Sequence, residues 1–406
     1  MSQPKPVIIL DPERRQAAMK SSRTRYLKNE VFRIVCVITA SMSVLILAVL
    51  LALIAWAGFD RLNLDFLMGV PHPDPDLAGL WPALMGTVWI CVVCGLVALP
   101  LGVATAVFLE EFRPRHWLVR RAHGFIQLNI ANLAGVPSVV YGILGLTVFV
   151  SMFGLAGTSS NPTLEVGVKY YHQWYNMDTG EALFLPVEGP EAEAPELADA
   201  MEVQIEPGGE WVEANVIPWG EPLPEDEDLA ARTMIEGEFP SIVSVPQWYH
   251  FRVPFGRGVL AGGLTLMLVI LPVLIIASQE ALRAVPDSLR EGALGMGATR
   301  WQVVRRVTLP SAVPGIMTGS IIAMSRAIGE AAPLLMIAGI VFIASGPGNL
   351  MDDFTAMPLQ IYNWAQRPQE SFHELAASGI IVLLAVLLVF NGLAVFIRHK
   401  FQKPLS

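Results

Sequence analysis

Long apolar stretches alternate with polar segments along most of this chain. The hydrocarbon core of a bilayer is about 30 Å thick, so a helix needs about 20 mostly apolar residues to cross it. The pattern predicts an all-α integral membrane protein with six membrane-spanning helices, at about 34–58, 84–109, 127–153, 258–278, 314–342 and 376–397.

Basic residues are concentrated in the polar segments on one side of this arrangement. Eight Lys and Arg lie within residues 1–33, before the first span. Others follow spans two, four and six, and together the groups account for 20 of the 27 Lys and Arg. The positive-inside rule therefore places both termini in the cytoplasm. The later groups are Arg113, Arg115, Arg120 and Arg121, then Arg283, Arg290, Arg300, Arg305 and Arg306, then Arg398, Lys400 and Lys403.

The segment 156–256, between spans three and four, has a different composition. Its residues 156–250 hold 19 acidic side chains against Lys169 and Arg232, whereas the rest of the chain has a net charge of +8. Alternating residues around Pro207-Gly208-Gly209 predict a hairpin. We expect a small, partly β extracytoplasmic insert with disordered loops; the alternative is an acidic solvated tether. Its expected core is aromatic: Trp174, Tyr175, Trp211, Trp219, Trp248 and Tyr249.

Composition excludes several classes of protein. With 53% hydrophobic residues and a mean hydropathy of +0.51, the chain is too apolar for a soluble protein of this size. Cys36, Cys91 and Cys94 lie in apolar runs, so we expect small buried hydrophobes rather than a redox or metal site. The seven histidines show no metal-ligand spacing, so we expect no metal or cofactor. The sequence contains no G-x-x-x-x-G-K-[ST], hence no P-loop, and we expect a subunit that is not an enzyme.

The polar segment between spans four and five contains a spaced motif. Glu291-Gly292-Ala293 is followed by three residues, Gly297, nine residues, and then Val-Thr-Leu309-Pro310. This resembles the EAA loop of ABC-importer permeases, with Gly292 and Val307 as departures. The resemblance implies a cytoplasmic helix-turn-helix within 280–313 that seats on an ATPase subunit. Gly297 permits a turn with positive φ, and we expect Leu309-Pro310 to end the second helix.

The fifth predicted span contains two ionisable residues. Arg326 and Glu330 are four residues apart on one helical face, within IIAMSRAIGEAAPLLMIAG at 321–339. Gly329 and Pro333 weaken the helix there, and broken helices often mark transport sites. One interpretation is an ion pair that holds helices together. The other is a polar site on a translocation path, where a partly neutralised arginine binds an oxyanion loosely enough to release it.

The run SRAIGEAAPL, with NLAGVPSVVYGILGL at 132–146 and the loop at 291–310, resembles the PstA family of phosphate-specific ABC importer permeases. The likeness covers roughly 34–158 and 256–400. It implies the MetI-like permease fold in a bacterial inner membrane and places Arg326 and Glu330 on the phosphate path. It implies a PstC-like permease partner, two PstB-like ATPases and a PstS-like phosphate-binding protein outside. The insert, about a hundred residues, departs from the family's shorter connection.

Two alternatives remain open at this point. The cargo could be molybdate, sulfate or another oxyanion, within the same class of permease. Alternatively, the chain is a membrane-anchored sensor or scaffold that uses its acidic insert to bind a partner.

Overall fold

The computed structural model describes residues 12–112, 116–158, 161–175, 182–189, 200–217, 233–235, 241–338 and 343–401. Several predicted features lie outside these residues: Arg113, Arg115, Trp219, Lys403, the end of the fifth predicted span, and the acidic runs of the insert. The helices are α1 (Pro12–Gly58), α2 (Leu64–Met68), α3 (Trp81–Glu111), α4 (Trp117–Leu133), α5 (Ser138–Gly145), α6 (Val259–Arg283), α7 (Asp287–Gly295), α8 (Arg300–Val303), α9 (Leu309–Gly329), α10 (Ala332–Ala338), α11 (Met357–Ala365) and α12 (Glu370–Phe401).

Five helical segments in the described chain are long and apolar enough to cross a bilayer. A bent pair, α4 followed by Ser138–Val150, raises the number to six if it is counted as one span. The predicted helical membrane fold is therefore confirmed, with five to six spans. The five segments are Lys28–Arg61, Trp81–Glu111, Val259–Arg283, Arg300–Gly329 and Glu370–Phe396.

The third predicted span, 127–153, is not one straight helix. The chain bends by 109° between α4 and the helical segment Ser138–Val150. Pro137 precedes α5 in an extended conformation (φ −56°, ψ 136°). Proline restricts the residue before it and cannot continue the hydrogen bonding of the preceding helix, so α4 ends and the chain turns.

The fifth predicted span, 314–342, is also interrupted. Helix α9 ends at Gly329, and Glu330 has extended backbone angles (φ −81°, ψ 108°). A second helix, α10, begins at Ala332. The predicted weakness around Gly329 and Pro333 is therefore confirmed as a break in the helix.

The central core lies where α3 and α6 pack along each other. Buried side chains from both helices meet those of α9 and α10 there. Cys91 and Cys94 are free thiols in this region and are buried, which confirms their predicted role as small hydrophobes, whereas Cys36 is exposed. The core includes Ile90, Cys94, Ala98, Leu266, Ile270, Ala323 and Ile337.

The helical bundle has two ends. We call the end next to the β-sheet of the insert the sheet end, and the end next to the motif segment between α6 and α9 the loop end. At the sheet end, the backbone N–H of Val259 donates to Asp352 O (3.0 Å) and that of Gly256 donates to Val150 O (3.3 Å). At the loop end, Arg283 and Arg290 meet the last residues of α3. Helices α3 and α6 connect the two ends.

The described part of the insert forms a six-stranded sheet in the order β7-β6-β5-β4-β3-β8, antiparallel except between β6 and β7. A short pair, β1 (Gly157–Thr158) and β2 (Asn161–Pro162), precedes it. The predicted β structure is confirmed, so the tether interpretation is wrong for these residues. The sheet strands are β3 (Leu164–Tyr175), β4 (Ala182–Val187), β5 (Ala200–Gln204), β6 (Trp211–Ile217), β7 (Thr233–Ile235) and β8 (Ser241–Val253).

The predicted hairpin is confirmed, but the predicted aromatic core is mostly wrong. Gln204 pairs with Trp211 across the turn, and Gly208 has φ +81°. Trp211 lies on the outer face because the neighbouring pair, Val203 and Val212, points inward. Trp211, Trp248 and Tyr249 are all exposed, and the side chain of Tyr175 is outside the described set. The actual core is Trp174, Leu183, Val203, Ala214 and Met234.

Candidate functional site

The motif between α6 and α9 forms an exposed helix and turn at the loop end. Glu291 and Gly292 lie on α7 and face solvent, whereas Ala293 is buried. A Cβ on Gly292 would meet nothing within 4 Å, so this position leaves open space beside the helix. Gly297 has φ +85°, which confirms the predicted turn with positive φ. The helix-turn-helix arrangement predicted for this segment is therefore present.

Arg290 fixes α7 to the ends of both long core helices. Its Nε and Nη2 donate to Glu111 Oε1 on α3 (3.2 and 3.0 Å). Its Nη2 and Nη1 also donate to the carbonyls of Leu282 and Val285 (2.6 and 2.8 Å), where α6 ends. The Leu282 carbonyl lies in the last turn of α6, where carbonyls lack the N–H donors of a following turn, and Val285 lies two residues beyond the helix end. One guanidinium therefore joins α7, α3 and α6.

A second ion pair supports the same place. Arg283 Nε donates to Glu110 Oε2 (3.0 Å) and Arg283 Nη1 donates to Glu280 Oε1 (2.9 Å). Together with Asp287, the two arginines and the two α3 glutamates line a polar cavity of about 390 Å³ under α7. The loop is thus anchored by charge pairs rather than by apolar burial alone.

The outer surface of the loop is unusually apolar for an exposed segment. Met296 is 86% exposed and Trp301 is 59% exposed. Leu289 and Leu294 are also exposed on α7. Several large apolar side chains exposed within thirteen residues are typical of an interaction surface. We call this set, with Glu291, the loop surface.

The second half of the motif continues directly into the fifth long helix. Thr299 and Gln302 form a reciprocal capping box that begins α8. A π turn, Val304–Thr308, follows, in which the Leu309 N–H donates to Val304 O five residues back. Pro310 then lies in the first turn of α9. The prediction that Leu309-Pro310 ends a helix is wrong, because the wider π turn shifts the hydrogen-bond register and accommodates a residue without an N–H.

Arg326 and Glu330 lie together at the other functional position on α9. Arg326 Nε donates to Glu330 Oε1 (2.9 Å). The arginine side chain is 43% exposed and the glutamate 18% exposed. Both residues belong to one segment, the last turn of α9 and its C-cap, so the pair does not tie two helices together. In the part of the chain that the structure describes, the Nη1 and Nη2 groups of Arg326 have no hydrogen-bond partner.

Two breaks in the bundle meet beside this ion pair. A Cβ on Gly142 of α5 would lie 2.8 Å from Pro333 Cα in α10, so these helices approach closely. The neighbouring Tyr141 hydroxyl donates to Leu133 O (2.8 Å) across the bend between α4 and α5, and Pro333 lies only three residues after Glu330. The interruption after α4 and the interruption after α9 are therefore parts of one region.

Polar contacts also join α9 to α12. Ser325 Oγ donates to Asn391 Oδ1 (2.6 Å), and Arg398 Nη1 donates to Thr318 Oγ1 (2.9 Å). Each helix contributes residues seven apart, which lie on one face. These bonds hold α9 at a fixed position, so the face that presents Arg326 is oriented by its neighbours.

The two candidate regions are separate but connected. Pro310 and Arg326 are sixteen residues apart on one helix, which corresponds to about 24 Å along its axis. Leu309 packs against the core cluster at the loop end, and Ala293 is buried nearby on α7. The structure therefore does not bring the loop residues and the ion pair into one site. It joins them through α9.

The sequence pattern did not reveal the anchor of the loop. Glu111 and Arg290 are 179 residues apart, and the pattern identified Arg290 only as a cytoplasmic charge. The signal in the sequence is weak: two adjacent glutamates end the second apolar run, and arginines flank the motif. Among the described residues, no group of three or more His, Cys, Asp or Glu could hold a metal ion.

Comparison with known proteins extends this description. Residues 98–403 match the family model of the binding-protein-dependent transport system inner membrane component. The probable ABC transporter permease protein YqgI of Bacillus subtilis (strain 168) is 23% identical over 377 residues, covering 89% of this chain and 93% of that protein. The phosphate transport system permease protein PstC of Haemophilus influenzae is 25% identical over 323 residues, covering 79% and 76%.

Two further similarities are more limited. The probable phosphate transport system permease protein PstA of Methanocaldococcus jannaschii is 37% identical over 171 residues, which is 42% of this chain and 59% of that protein. Among solved structures, an inward-facing MetNI methionine ABC transporter matches 80% of this chain and 95% of its own, at 14% identity and a TM-score of 0.43.

The apolar spans define a multi-pass membrane protein, and the exposed motif between two of them is typical of transport permeases. The family match covers most of the chain. This chain therefore belongs to the inner-membrane permease components of binding-protein-dependent ABC importers, and its fold is the MetI-like permease fold that the motif predicted. Members of this family are channel subunits of the transporter.

Proposed function

We propose that this chain forms one half of the translocation channel of an ATP-driven importer of inorganic phosphate. The other half is a PstC-like permease, two PstB-like ATPases bind the loop end, and a PstS-like protein delivers phosphate at the sheet end. In this arrangement the loop end and both termini are cytoplasmic, and the sheet lies outside the membrane.

The observation that supports phosphate most directly is the state of Arg326. A charged residue at mid-membrane costs about 2.5–3.5 kcal/mol on insertion scales, so it is retained where it has a function or a partner. Here the partner, Glu330, occupies only Nε. The two Nη groups stay available, and the planar guanidinium matches the oxygens of phosphate. The glutamate weakens the attraction, so the anion can leave again.

The names of two relatives agree with this cargo. The PstC protein of Haemophilus influenzae and the PstA protein of Methanocaldococcus jannaschii are both phosphate transport permeases by name. YqgI is named only as an ABC permease, so its name supports the class and leaves the cargo open. We extend the phosphate assignment to this chain on the strength of Arg326.

In this proposal, the ATPase subunit drives transport by contacting the loop surface. Glu291 and the exposed Leu294, Met296 and Trp301 present a charged and apolar patch that suits a groove on an ATPase subunit. The chain contains no P-loop motif of its own, so ATP hydrolysis is assigned to the partner. Movement of α7 then reaches the Arg326 region through the continuous helix 300–329.

Uptake by the reconstituted transporter tests the proposal. Losing hydrogen bonds to a charged group costs about 1.5–3 kcal/mol, so Arg326→Gln should lower ATP-dependent phosphate uptake by about 10- to 100-fold while the complex still assembles. Arg326→Lys keeps the positive charge but lacks the paired N–H donors of a guanidinium. Its phosphate uptake should therefore lie between that of the unsubstituted protein and that of Arg326→Gln. Arg33→Gln, which removes an exposed arginine of α1 that pairs with Glu30, is the control and should leave uptake unchanged.

The same assay separates the alternatives. If molybdate or sulfate inhibited the uptake of labelled phosphate as strongly as unlabelled phosphate does, the transported substrate would be assigned to another oxyanion. Normal uptake in Arg326→Gln, together with loss of function when 160–250 is deleted, would favour the sensor or scaffold and refute the proposed path.

A further inference from the structure

Helix α4 is an amphipathic helix whose exposed surfaces the proposed channel does not explain. None of its residues is buried, although it lies between two core elements. Five of its exposed apolar side chains share one face at 100° per residue, whereas the exposed Leu128 lies about 120° from the centre of that face. The five are Leu118, Val119, Phe125, Ile126 and Leu133, each 43–68% exposed.

One side of α4 faces the protein. His123 Nε2 lies 2.8 Å from Leu109 O, within hydrogen-bond distance of the last turns of α3. Ile130 packs against the loop-end cluster that contains Leu109, Leu282 and Val304. Both contacts place α4 beside the loop-end half of the bundle. The 109° bend turns α4 steeply away from the direction of Ser138–Val150, whose side chains pack in the central core.

Two arginines lie outside the apolar face of α4. Arg120 lies roughly 150° around the helix from the centre of the apolar face. The Cζ atom of Arg121 lies 5.0 Å from the centre of the Trp117 ring, a cation–π contact. Arg120, Arg121 and Trp117 are all exposed. The chain enters α4 from α3, a helix long and apolar enough to span a membrane, and leaves it with the 109° bend into the apolar segment Ser138–Val150.

We propose that α4 is an interfacial helix that lies flat at the loop-end surface of the bilayer and binds anionic lipid headgroups. Its apolar face then enters the boundary of the acyl chains, which explains why large apolar side chains are exposed there. Its arginines contact lipid phosphates, and Trp117 lies at headgroup depth, where tryptophan is enriched. The helix is continuous with established membrane segments, so lipid is the occupant that its position favours.

This assignment revises the third predicted span. Residues 127–133 are apolar enough to be counted within a membrane helix, but in this arrangement they lie along the surface. Only the segment after Pro137 enters the membrane. The region beside Tyr141 and Arg326 is then held from one side by a helix that is anchored to lipid.

Depth measurements on the assembled transporter in nanodiscs test the orientation. Cys36, Cys91 and Cys94 are first replaced by Ala, and single spin labels are placed at Ile126→Cys or Gly124→Cys. These positions are two residues apart and about 160° apart around the helix. A Cβ at Gly124 would meet nothing within 4 Å, so a label is tolerated there.

The label at position 126 should be relaxed mainly by oxygen, which dissolves in lipid, and the label at 124 mainly by a water-soluble nickel chelate. Preferential relaxation of both labels by oxygen would mean a spanning helix and would overturn the proposal. Preferential relaxation of both by nickel, or protection from both reagents by a protein neighbour, would overturn it equally.

Lipid selectivity tests the headgroup contact. One basic residue near an anionic surface contributes about fivefold in affinity. Arg120→Gln with Arg121→Gln should therefore lower the preference for spin-labelled phosphatidylglycerol over phosphatidylcholine by up to about 25-fold. Arg257→Gln, at the opposite end, should not change it. Unchanged selectivity in the double variant, or an equal loss in Arg257→Gln, would contradict the contact.

Discussion

The contact between Arg290 and Glu111 should determine how firmly the motif segment 287–298 is attached to α3 and α6. Replacing Arg290 by Met keeps an unbranched apolar side chain but removes every hydrogen-bond donor. The Glu111 carboxylate, whose side chain is only 12% exposed, then loses its charge partner. The carbonyls of Leu282 and Val285 lose their donors as well.

The size of the effect follows from burial. Removing one partner of a buried ion pair costs about 3–5 kcal/mol. Because the side chains of Arg290 and Glu111 keep 17% and 12% exposure, the lower end of that range is appropriate. A cost of about 3 kcal/mol corresponds to a factor of about 150 in an equilibrium constant. The detached state of α7 should become more populated by about that factor.

Hydrogen exchange on the purified permease measures this directly. In Arg290→Met, the amides of 287–298 should exchange about 100-fold faster, while those in the middle of α6 keep their protection. In the assembled transporter, more ATP should be hydrolysed for each substrate molecule transported, because the moving loop no longer displaces α3 and α6. Arg300→Gln removes an exposed charge from the same segment and is the control.

A double variant separates this explanation from a general loss of stability. Glu111→Gln removes the charge that Arg290→Met leaves unpaired, so the combined variant should recover part of the lost protection. Strictly additive effects, or unchanged exchange in Arg290→Met, would refute the argument that this pair anchors the loop.

Three further changes test other parts of the structure. Gly297→Ala should weaken ATPase assembly by about 5- to 30-fold, because an L-residue at φ +85° costs about 1–2 kcal/mol; Gly292→Ala, in helical backbone with open space, is the control, and equal binding by both variants would refute the turn requirement. Glu291→Lys should leave the thermal stability of the permease unchanged but uncouple transport from ATP hydrolysis; normal uptake would contradict docking through the loop surface. Gly142→Ala should lower uptake and thermal stability by forcing α5 from Pro333, whereas Gly135→Ala should not, and equal stability of the two would show that the contact is unimportant.

Local features were predictable because local physics produces them. Long apolar runs located the membrane helices, since the bilayer selects for length and hydropathy. The turn at Gly297 and the hairpin around Gly208 followed from residues that tolerate positive φ. The weakness beside Gly329 was also visible, because a glycine and a nearby proline lower helix stability wherever they occur.

The angles between helical segments, and the faces of strands on which side chains lie, were less predictable. Hydropathy indicated a third span at 127–153, but it contains no information on the angle at which one apolar segment follows another. Pro310 was predicted to end a helix, whereas the preceding π turn lets the helix continue. The aromatic residues of the insert were expected to form its core, but strand register placed Trp211 on the outer face.

The sequence by itself determined that this chain is a multi-pass membrane permease with a spaced polar motif between two spans and a charged residue in an otherwise apolar helix. Only the tertiary structure decided that Arg290 joins α7 to Glu111, that the two helix breaks meet beside Arg326, and that the chain bends by 109° after α4. The physical reason is distance along the chain. Hydropathy and turn propensity act over a few neighbouring residues, whereas these contacts join positions that are brought together only when the helices pack.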